Sequence, residues 1–226
     1  MGKGIIKNIR FIYDCVLQVI YSEDEKCIIC KDDLYEKDYI CNKCEKTLKF
    51  CKDSFYIQKD EKKFKCYSVS YYSGIMMELI LNLKYKSDFM AGELISNYML
   101  EMISKNQMQF DYIAYVPMTK SSLKKRGYNQ GEYLAKKISK NIDIPLIHCL
   151  NKVMTTKDQI GLSGNERWEN IQGSIKFLHK YNIKNKKILL VDDVITTGAT
   201  AFSCAEELIK NGAEKITVLT GAKSNV

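Results

Sequence analysis

One segment near the end of the chain, VDDVITTGAT at positions 191–200, constrains the fold more than any other. The apolar residues 187–191 lead into it and predict a buried strand, while residues 201–209 predict a helix after it. Between strand and helix the chain places two adjacent carboxylates, then three threonines and a glycine. Such a strand-to-helix junction is typical of a ligand site at one edge of an open α/β sheet.

The residue types in this segment match the parts of a phosphorylated sugar. The start of a helix leaves backbone N–H groups unpaired and carries the positive end of the helix dipole, so small residues there let a phosphate approach. Asp192 and Asp193 can accept hydrogen bonds from a vicinal diol such as that of ribose, or hold magnesium directly or through water. The segment predicts a ribose-5-phosphate site; the alternative is an Asx-capped helix start in an ordinary α/β fold. The residues expected on the phosphate are Thr196, Thr197, Gly198, Ala199 and Thr200.

Composition limits the partners of such a site. The 226 residues suffice for one ordinary domain and a small appendage. The formal net charge of +8 favours an anionic partner, which is a phosphate ligand, a nucleic acid or an anionic membrane surface. We find no apolar run of spanning length and no signal-peptide pattern, and the nine cysteines favour a reducing compartment. We therefore expect a cytoplasmic protein without a transmembrane segment, either free or at the inner face of the membrane.

Four cysteines in the N-terminal part have the spacing of a metal site. Cys27 and Cys30 form one CxxC motif, and Cys41 and Cys44 form a second one ten residues later. Two such motifs can present four thiolates in the tetrahedron that zinc prefers, which predicts a closed, structural zinc ribbon. Disulfides and a single redox CxxC pair are the alternatives. Outside this spacing lie two more cysteines, at positions 51 and 66, which are expected to be buried thiols.

The chain divides into four predicted segments. Residues 1–21 predict an N-terminal helix, either packed on its own protein or lying on a membrane surface. Residues 22–51 hold the four-cysteine module, and 52–66 predict a charged linker. Residues 67–226 predict an α/β domain because strand patterns alternate with helix patterns, which favours a mostly parallel sheet with flanking helices.

Several elements of the α/β domain can be placed from the sequence. Helices are predicted over 74–86, 90–104 and 131–140, and strands over 67–72, 111–116, 144–150, 174–178 and 215–219. The strand at 111–116 is followed by a basic, hydroxyl-rich loop over 118–130, and 151–171 predicts a long polar loop. Loops at the C-terminal ends of strands face the ligand crevice, so the basic loop either binds a second anionic group or is merely solvated.

The segment at 191–200 resembles the phosphoribosyl-pyrophosphate (PRPP) loop of type I phosphoribosyltransferases. That resemblance implies PRPP bound with magnesium and transfer of ribose 5-phosphate to a nitrogen nucleophile. It implies that Asp192 and Asp193 contact the ribose hydroxyls and that 196–200 cradle the 5′-phosphate. Arg126 is expected to hold the leaving pyrophosphate and so joins the two aspartates as a catalytic candidate, with Lys84 a weaker one. The residues expected near the pyrophosphate are Val116, Pro117, Met118, Thr119 and Lys120.

More of the chain resembles the ComF family of competence proteins. The resemblance rests on the four-cysteine module, RGYNQ at 126–130, QIGLS at 159–163, and Glu166, Arg167 and Asn170. It implies a zinc ribbon joined to a phosphoribosyltransferase domain that handles incoming single-stranded DNA on the cytoplasmic side of the inner membrane. Two positions depart from the family pattern: Tyr128 stands where Phe is usual, and Lys152 where Arg is usual.

The sequence leaves the activity open between three hypotheses. An active enzyme would displace pyrophosphate from PRPP by positioning and charge stabilisation, although no acceptor pocket is identifiable from the sequence. A binding adaptor without turnover would sense PRPP or bind single-stranded DNA by charge and stacking, and would dock the DNA-uptake machinery through the zinc ribbon. A scaffold with a vestigial site would bind no ligand.

Overall fold

The structure is a computed structural model that describes residues 26–34, 39–153 and 173–224. The chain forms two compact units, Met1–Thr47 and Leu48–Val226. The helix predicted within 1–21 lies outside the described residues. So do QIGLS at 159–163 and the motif residues Glu166, Arg167 and Asn170.

The described part of the first unit is organised by its turns. Residues Lys26 and Asp33 form an antiparallel bridge, and the Cys27 N–H donates to the Asp32 carbonyl at 2.8 Å. One short helix, α1 (Asn42–Glu45), begins after Cys41. Three apolar side chains are buried here, Ile28, Leu34 and Ile40. Residues 26–34 and 39–47 thus contribute little hydrophobic stabilisation of their own.

The second unit contains the sheet and its covering helices. Its strands are β1 (Phe55–Lys59), β2 (Lys62–Tyr71), β3 (Tyr112–Tyr115), β4 (Leu150–Lys152), β5 (Ile175–Phe177), β6 (Lys187–Ile195) and β7 (Lys215–Lys223). Its helices are α2 (Gly74–Lys86), α3 (Phe89–Lys105), α4 (Lys120–Arg126), α5 (Gln130–Ile142) and α6 (Ala199–Lys210). Among the described residues, no helix has both the length and the apolar character that crossing a bilayer requires.

Strand order confirms the predicted class of fold. The main sheet has the order β1-β2-β7-β6-β3, and β4 pairs with β5 in a separate antiparallel sheet. In the main sheet β1 and β2 are antiparallel, while β2–β7, β7–β6 and β6–β3 are parallel pairs. The chain is thus a mixed α/β protein with a mostly parallel sheet and flanking helices.

Side chains of β6 alternate between two buried faces, as a parallel strand requires. Ile188 and Leu190 belong to one cluster with Phe202 and Leu208 of α6. The opposite face, with Leu189, is covered by α2, α3 and α5. The central strands therefore end at one edge of the sheet with a helix layer on either side, which is where ligands bind in such folds.

Three parts of the sequence prediction differ from the structure. The linker predicted over 52–66 forms β1 and the start of β2, because buried Ile57, Phe64 and Cys66 alternate with exposed or half-buried neighbours along an edge hairpin. The strand predicted over 144–150 is reduced to one bridge at Leu146 and to β4 from Leu150 onward. The loop predicted over 118–130 contains α4.

Candidate functional site

The two adjacent aspartates lie inside β6 rather than in the loop after it. The strand continues to Ile195, and Asp192 pairs with Thr220 of β7. Neighbouring residues of a strand point to opposite faces, but the two carboxylates still act on each other, since the charge of Asp193 and its side-chain hydrogen bond both raise the pKa of Asp192. The strand predicted over 187–191 was therefore four residues too short at its carboxyl end.

Asp193 is buried and paired with a lysine. Asp193 is 6% exposed, and its Oδ2 lies 2.9 Å from Nζ of Lys84 in the last turn of α2. Its Oδ1 accepts a hydrogen bond from the Val194 N–H at 2.7 Å. Burial lowers the pKa of Lys84, but the charge of Asp193, its hydrogen bond and the charge of Asp192 outweigh this and raise the pKa overall. Lys84, which the sequence indicated only as a weaker catalytic candidate, thus pairs directly with one of the two aspartates.

Asp192 is half-buried and has a different set of neighbours. Its Oδ1 accepts a hydrogen bond from the Asp193 N–H at 2.9 Å. Burial raises its pKa well above the ordinary value, and the negative charge of Asp193 raises it further. Donation from the Asp193 N–H and the charge of Lys84 oppose this without cancelling it. The folded protein therefore holds a carboxylate whose charged form is costly without a ligand.

Replacing Asp192 with Asn is expected to stabilise the unliganded protein as the pH rises. A carboxyl whose folded-state pKa lies above the unfolded value of about 3.8 is favourable below that value, and this contribution is lost as the pH rises through the folded-state pKa. The melting temperature of Asp192→Asn should therefore match the wild type near about pH 4 and exceed it by a few degrees near about pH 8. A difference that does not change with pH would contradict the raised pKa.

The predicted phosphate loop turns at the start of α6. Gly198 precedes the helix with a φ of +79°, a left-handed conformation, and the Phe202 N–H donates to its carbonyl at 2.8 Å. The Thr197 hydroxyl accepts from the Ala199 N–H at 3.4 Å. A Cβ added to Gly198 would lie 2.6 Å from Cγ2 of Ile57 in β1. Position 198 therefore requires glycine for two reasons: the backbone there is left-handed, and β1 of the hairpin approaches too closely for a Cβ atom.

A pair of glycine substitutions separates these two requirements. Gly127 also has a positive φ, of +83°, but an added Cβ there meets nothing within 4 Å. Gly127→Ala is expected to cost about 1–2 kcal/mol from backbone strain alone. Gly198→Ala should cost about 2–5 kcal/mol because overpacking against Ile57 adds about 1–3 kcal/mol. Urea unfolding of both variants measures this, and equal losses would show that the contact with the hairpin is unimportant.

The loop after β3 reaches the same edge of the sheet. The Val116 N–H donates to the Val191 carbonyl at 3.0 Å, which fixes the predicted pyrophosphate loop beside the aspartates. Val116 and Pro117 are buried, while Lys120 is exposed. Thr119 caps α4, since its hydroxyl accepts from the Ser122 N–H at 3.2 Å. The structure thus brings segment 116–120 next to 192–200, with Thr119 already engaged in a cap.

The residues of the RGYNQ segment make specific hydrogen bonds or cap a helix. An Arg126 N–H donates to Oε1 of Gln130 at 3.1 Å, and Gly127 ends α4 in the left-handed conformation. The Tyr128 hydroxyl donates to the Leu83 carbonyl in the last turn of α2. Asn129 caps α5 by accepting from the Glu132 N–H at 3.2 Å, and its amide donates to the Val116 carbonyl at 3.0 Å.

This segment joins three parts of the site. Arg126 also lies over the ring of Tyr85, 5.4 Å from its centroid, rather than in an ion pair with either aspartate among the described residues. The sequence pattern alone indicated a basic loop. It gave no sign that Tyr128 ties that loop to the helix carrying Lys84.

The four cysteines of the N-terminal unit come together as predicted. Their Sγ atoms all lie within 4.8 Å of one another, and those of Cys30 and Cys41 are 3.6 Å apart. Burial raises the pKa of Cys27, but hydrogen bonds from backbone N–H groups, that of Cys41 first, outweigh it and lower the pKa to about 6. Zn–S bonds of about 2.3 Å in a tetrahedron place sulfurs about 3.8 Å apart, so the donor set fits zinc.

The two cysteines outside this spacing are buried in the second unit. Cys51 is 8% exposed and Cys66 is fully buried, and neither belongs to the four-cysteine cluster. Burial raises the pKa of Cys66 to about 12. The interpretation of both as buried thiols is confirmed.

Several curated proteins are similar to the chain in sequence. Competence protein F of Haemophilus influenzae is 29% identical over 216 residues, which span 85% of this chain and 94% of that protein. Competence protein ComFC of Bacillus subtilis is 25% identical over 76% of this chain and 67% of its own length. DNA utilization protein YhgH of Escherichia coli is 28% identical over 48% of this chain and 47% of its own length. No family model matches the chain.

The solved structures to which the chain is similar include two enzymes. Glutamine PRPP amidotransferase from B. subtilis matches with a TM-score of 0.45 and 19% identity, over 74% of this chain and 35% of the amidotransferase. A purine phosphoribosyltransferase from Pyrococcus horikoshii matches with a TM-score of 0.37 and 21% identity, over 57% of this chain and 70% of that chain. Both TM-scores lie below 0.5, and the fold assignment rests on the strand order itself.

Proposed function

We propose that this chain, a homologue of competence protein F and ComFC, binds PRPP with magnesium at the carboxyl edge of its parallel sheet. One observation carries the proposal: β3 and β6 are parallel neighbours whose carboxyl ends lie at the same edge of the sheet, and β6 leads into the first turn of α6. Carboxylates that suit a diol, the start of a helix that suits a phosphate and a second loop therefore belong to one edge of the sheet.

Each end of PRPP has residues suited to it. The 5′-phosphate binds the α6 N-terminus and the hydroxyls of Thr196, Thr197 and Thr200, of which Thr196 is exposed and the others are half-buried. The pyrophosphate binds segment 116–120, with Arg126 moving from its position over Tyr85 to neutralise the leaving charge. Magnesium, when bound, supplies further charge neutralisation on the phosphate oxygens.

We also propose that the four-cysteine cluster binds one structural zinc ion. Four sulfur ligands close the coordination sphere, so Cys27, Cys30, Cys41 and Cys44 would hold a structural ion. The ion would stabilise residues 26–34 and 39–47, which bury few apolar side chains.

The cellular role that we propose is handling of incoming DNA during natural transformation, on the cytoplasmic side of the membrane. Support comes from relatives named as competence proteins and as a DNA utilization protein. A net charge of +8 also suits a polyanionic partner.

A second candidate is an adaptor that binds single-stranded DNA without turnover. A groove of about 640 Å³ carries the rings of Phe89, Tyr128 and Tyr133, with exposed Lys136 at its rim. The ring centroids of Phe89 and Tyr133 are 5.1 Å apart, and Phe89 is 47% exposed. Exposed rings beside lysines suit base stacking along a phosphate backbone.

One experiment separates the enzyme from the adaptor. Purified protein is incubated with PRPP, magnesium and a panel of nucleobases, ammonia and single-stranded DNA ends, and released pyrophosphate is measured. An enzyme releases pyrophosphate only with its acceptor and loses this release in Arg126→Met. An adaptor releases none but binds single-stranded DNA with an affinity that falls steeply with salt. Absence of pyrophosphate release together with salt-insensitive or undetectable DNA binding would contradict both.

A further inference from the structure

Three lysines lie together at the amino edge of the main sheet, opposite to the edge that carries the aspartates. Lys65 belongs to β2, Lys187 begins β6 and Lys215 begins β7. In the register of the sheet Lys187 is the partner of Lys215, and Lys65 is the partner of Thr217, two residues further along β7. Partners across strands and residues two apart on one strand point to the same face, so the three lysines share the face that α3 covers.

The three lysines line a cavity of about 240 Å³. Its remaining walls are Tyr67, Thr217 and residues 106–109, which follow the end of α3. Ammonium, hydroxyl and amide groups therefore make up most of the lining. Among the described residues that form these walls, none carries a carboxylate. A cavity with three cations and further hydrogen-bond donors suits an anion that has several oxygen atoms.

The turn after α3 closes the end of that helix. The C-terminal end of a helix is negative because its last carbonyl groups lack partners within the helix. Here the Gln107 N–H donates to the Ser104 carbonyl at 3.0 Å, and the Met108 N–H donates to the Ile103 carbonyl at 3.1 Å. Because these bonds engage two of the last carbonyl groups, they weaken the repulsion that an anion would meet beside the helix.

The arrangement of the lysines destabilises the sheet on its own. Like charges directly opposite each other on neighbouring strands are unfavourable, and Lys187 and Lys215 are such a pair. Lys187 has one carboxylate nearby, since its Nζ lies 4.0 Å from Oε1 of Glu214. Neither Lys65 nor Lys215 forms an ion pair with a residue that the structure describes. Packing does not account for three cations gathered in this way, whereas an anionic ligand does.

This cavity is separate from the proposed PRPP site. Strand β6 runs for nine residues, from Lys187 at the cavity to Ile195 before the phosphate loop. At about 3.3 Å per residue, the two edges of the sheet are about 26 Å apart. The cavity is also smaller than the roughly 300–1,000 Å³ of typical small-molecule pockets, so it suits a single phosphate group rather than a whole nucleotide.

We propose that the amino edge of the sheet holds a second anion site, which binds a terminal phosphate group through Lys65, Lys187 and Lys215. The phosphate belongs either to a small polyphosphate or to the 5′ end of a nucleic acid, since both present the same group. A terminal phosphate carries nearly two negative charges at neutral pH and therefore matches three ammonium groups better than a phosphodiester does. This inference goes beyond the proposed function and does not depend on PRPP binding at the opposite edge.

Lysine acetylation of the full chain, read by mass spectrometry, locates the bound phosphate. Tripolyphosphate at about ten times its dissociation constant should slow acetylation of Lys65, Lys187 and Lys215 by up to about 10-fold and leave exposed Lys140 of α5 unchanged. A 5′-phosphorylated oligonucleotide and the same oligonucleotide without that phosphate form the second arm.

The two arms identify the source of the phosphate. Protection by tripolyphosphate alone assigns a small molecule to the site, and protection by the phosphorylated oligonucleotide assigns a nucleic-acid end. Equal protection by both oligonucleotides would overturn the preference for a terminal phosphate. No protection by any of the probes would overturn the site itself.

Matched substitutions separate the site from net charge. Lys65→Gln combined with Lys215→Gln should weaken tripolyphosphate binding at least roughly 10-fold, as reported by protection of Lys187, because charged hydrogen bonds are lost. Lys140→Gln combined with Lys180→Gln removes the same charge at exposed positions outside the cavity and should weaken binding less than about twofold. Equal losses in the two variants would overturn the site.

A charge reversal separates the ligand from the fold. Lys215→Glu replaces a like-charge pair with an opposite-charge pair beside Lys187. Without ligand the melting temperature should therefore rise by about 1–4 °C, while protection of Lys187 by tripolyphosphate is lost. A lower melting temperature would show that Lys215 serves the fold and would overturn the inference.

Discussion

Chelation of zinc is expected to unfold the N-terminal unit and leave the second unit folded. Residues 26–34 and 39–47 bury only a few apolar side chains, whereas structural zinc contributes about 10–16 kcal/mol to small domains of this kind. The second unit has a core of its own around β6, β7 and α6. After chelation, protease cleavage between residues 26 and 47 should become rapid, while the main thermal transition persists.

Matched cysteine substitutions make this expectation specific. Metal analysis is expected to find one zinc ion per chain, and Cys44→Ser should remove most of it because the substitution deletes a buried ligand of the cluster. Cys51→Ala also replaces a buried cysteine, but one outside the cluster, and should keep the full zinc content. Wild-type protein without zinc, or equal zinc loss in the two variants, would contradict the ribbon.

PRPP with magnesium is expected to raise the melting temperature of the chain by about 5–10 °C. Ligand at about 100 times its dissociation constant stabilises the folded state by about 2.7 kcal/mol, and 1 kcal/mol corresponds to about 2–4 °C in a protein of this size. Magnesium alone and pyrophosphate alone should give smaller shifts, because neither occupies the diol acceptor and the phosphate loop together.

The aspartates should be necessary for this response. Asp192→Ala combined with Asp193→Ala is expected to abolish the shift, because it removes both carboxylates proposed to accept hydrogen bonds from the ribose diol. Asp111→Ala, at an acidic residue before β3 that pairs with Lys186, is a control that should keep the response. An unchanged shift in the double aspartate variant would place PRPP elsewhere on the protein.

Much of the fold could be predicted because its signals are local. The apolar run before Asp192 and the helix pattern after Gly198 gave the central strand and the helix that begins the phosphate loop. The spacing of the four cysteines predicted a cluster that the structure confirms. Each of these features depends on residues close together in the chain, where periodicity and motif spacing are informative.

The edge hairpin was missed because charged residues outnumber apolar ones over 52–66. In β2, Lys63 and Lys65 flank buried Phe64, so the segment has the charge of a linker and the alternation of a strand. Hydrophobic alternation would have been the better guide there, since a hairpin at the edge of a sheet can carry charged side chains on its solvated face.

The pairing of Lys84 with Asp193 could not be predicted because it joins residues more than one hundred positions apart. The sequence alone does not determine which face of β6 each aspartate occupies, because that depends on the register of β6 with β7. The contact of Tyr128 with Leu83 is of the same kind. Long-range side-chain contacts of this sort decide how the site is arranged, while local patterns only indicate that a site exists.

Calorimetric titration of the zinc-loaded chain with PRPP in the presence of magnesium tests the central claim most directly. The account predicts saturable binding of one PRPP per chain, with ribose 5-phosphate binding more weakly because it cannot use segment 116–120. Absence of saturable heat, with PRPP well above the concentrations at which such sites fill, would contradict the claim that the carboxyl edge of this sheet is a PRPP site.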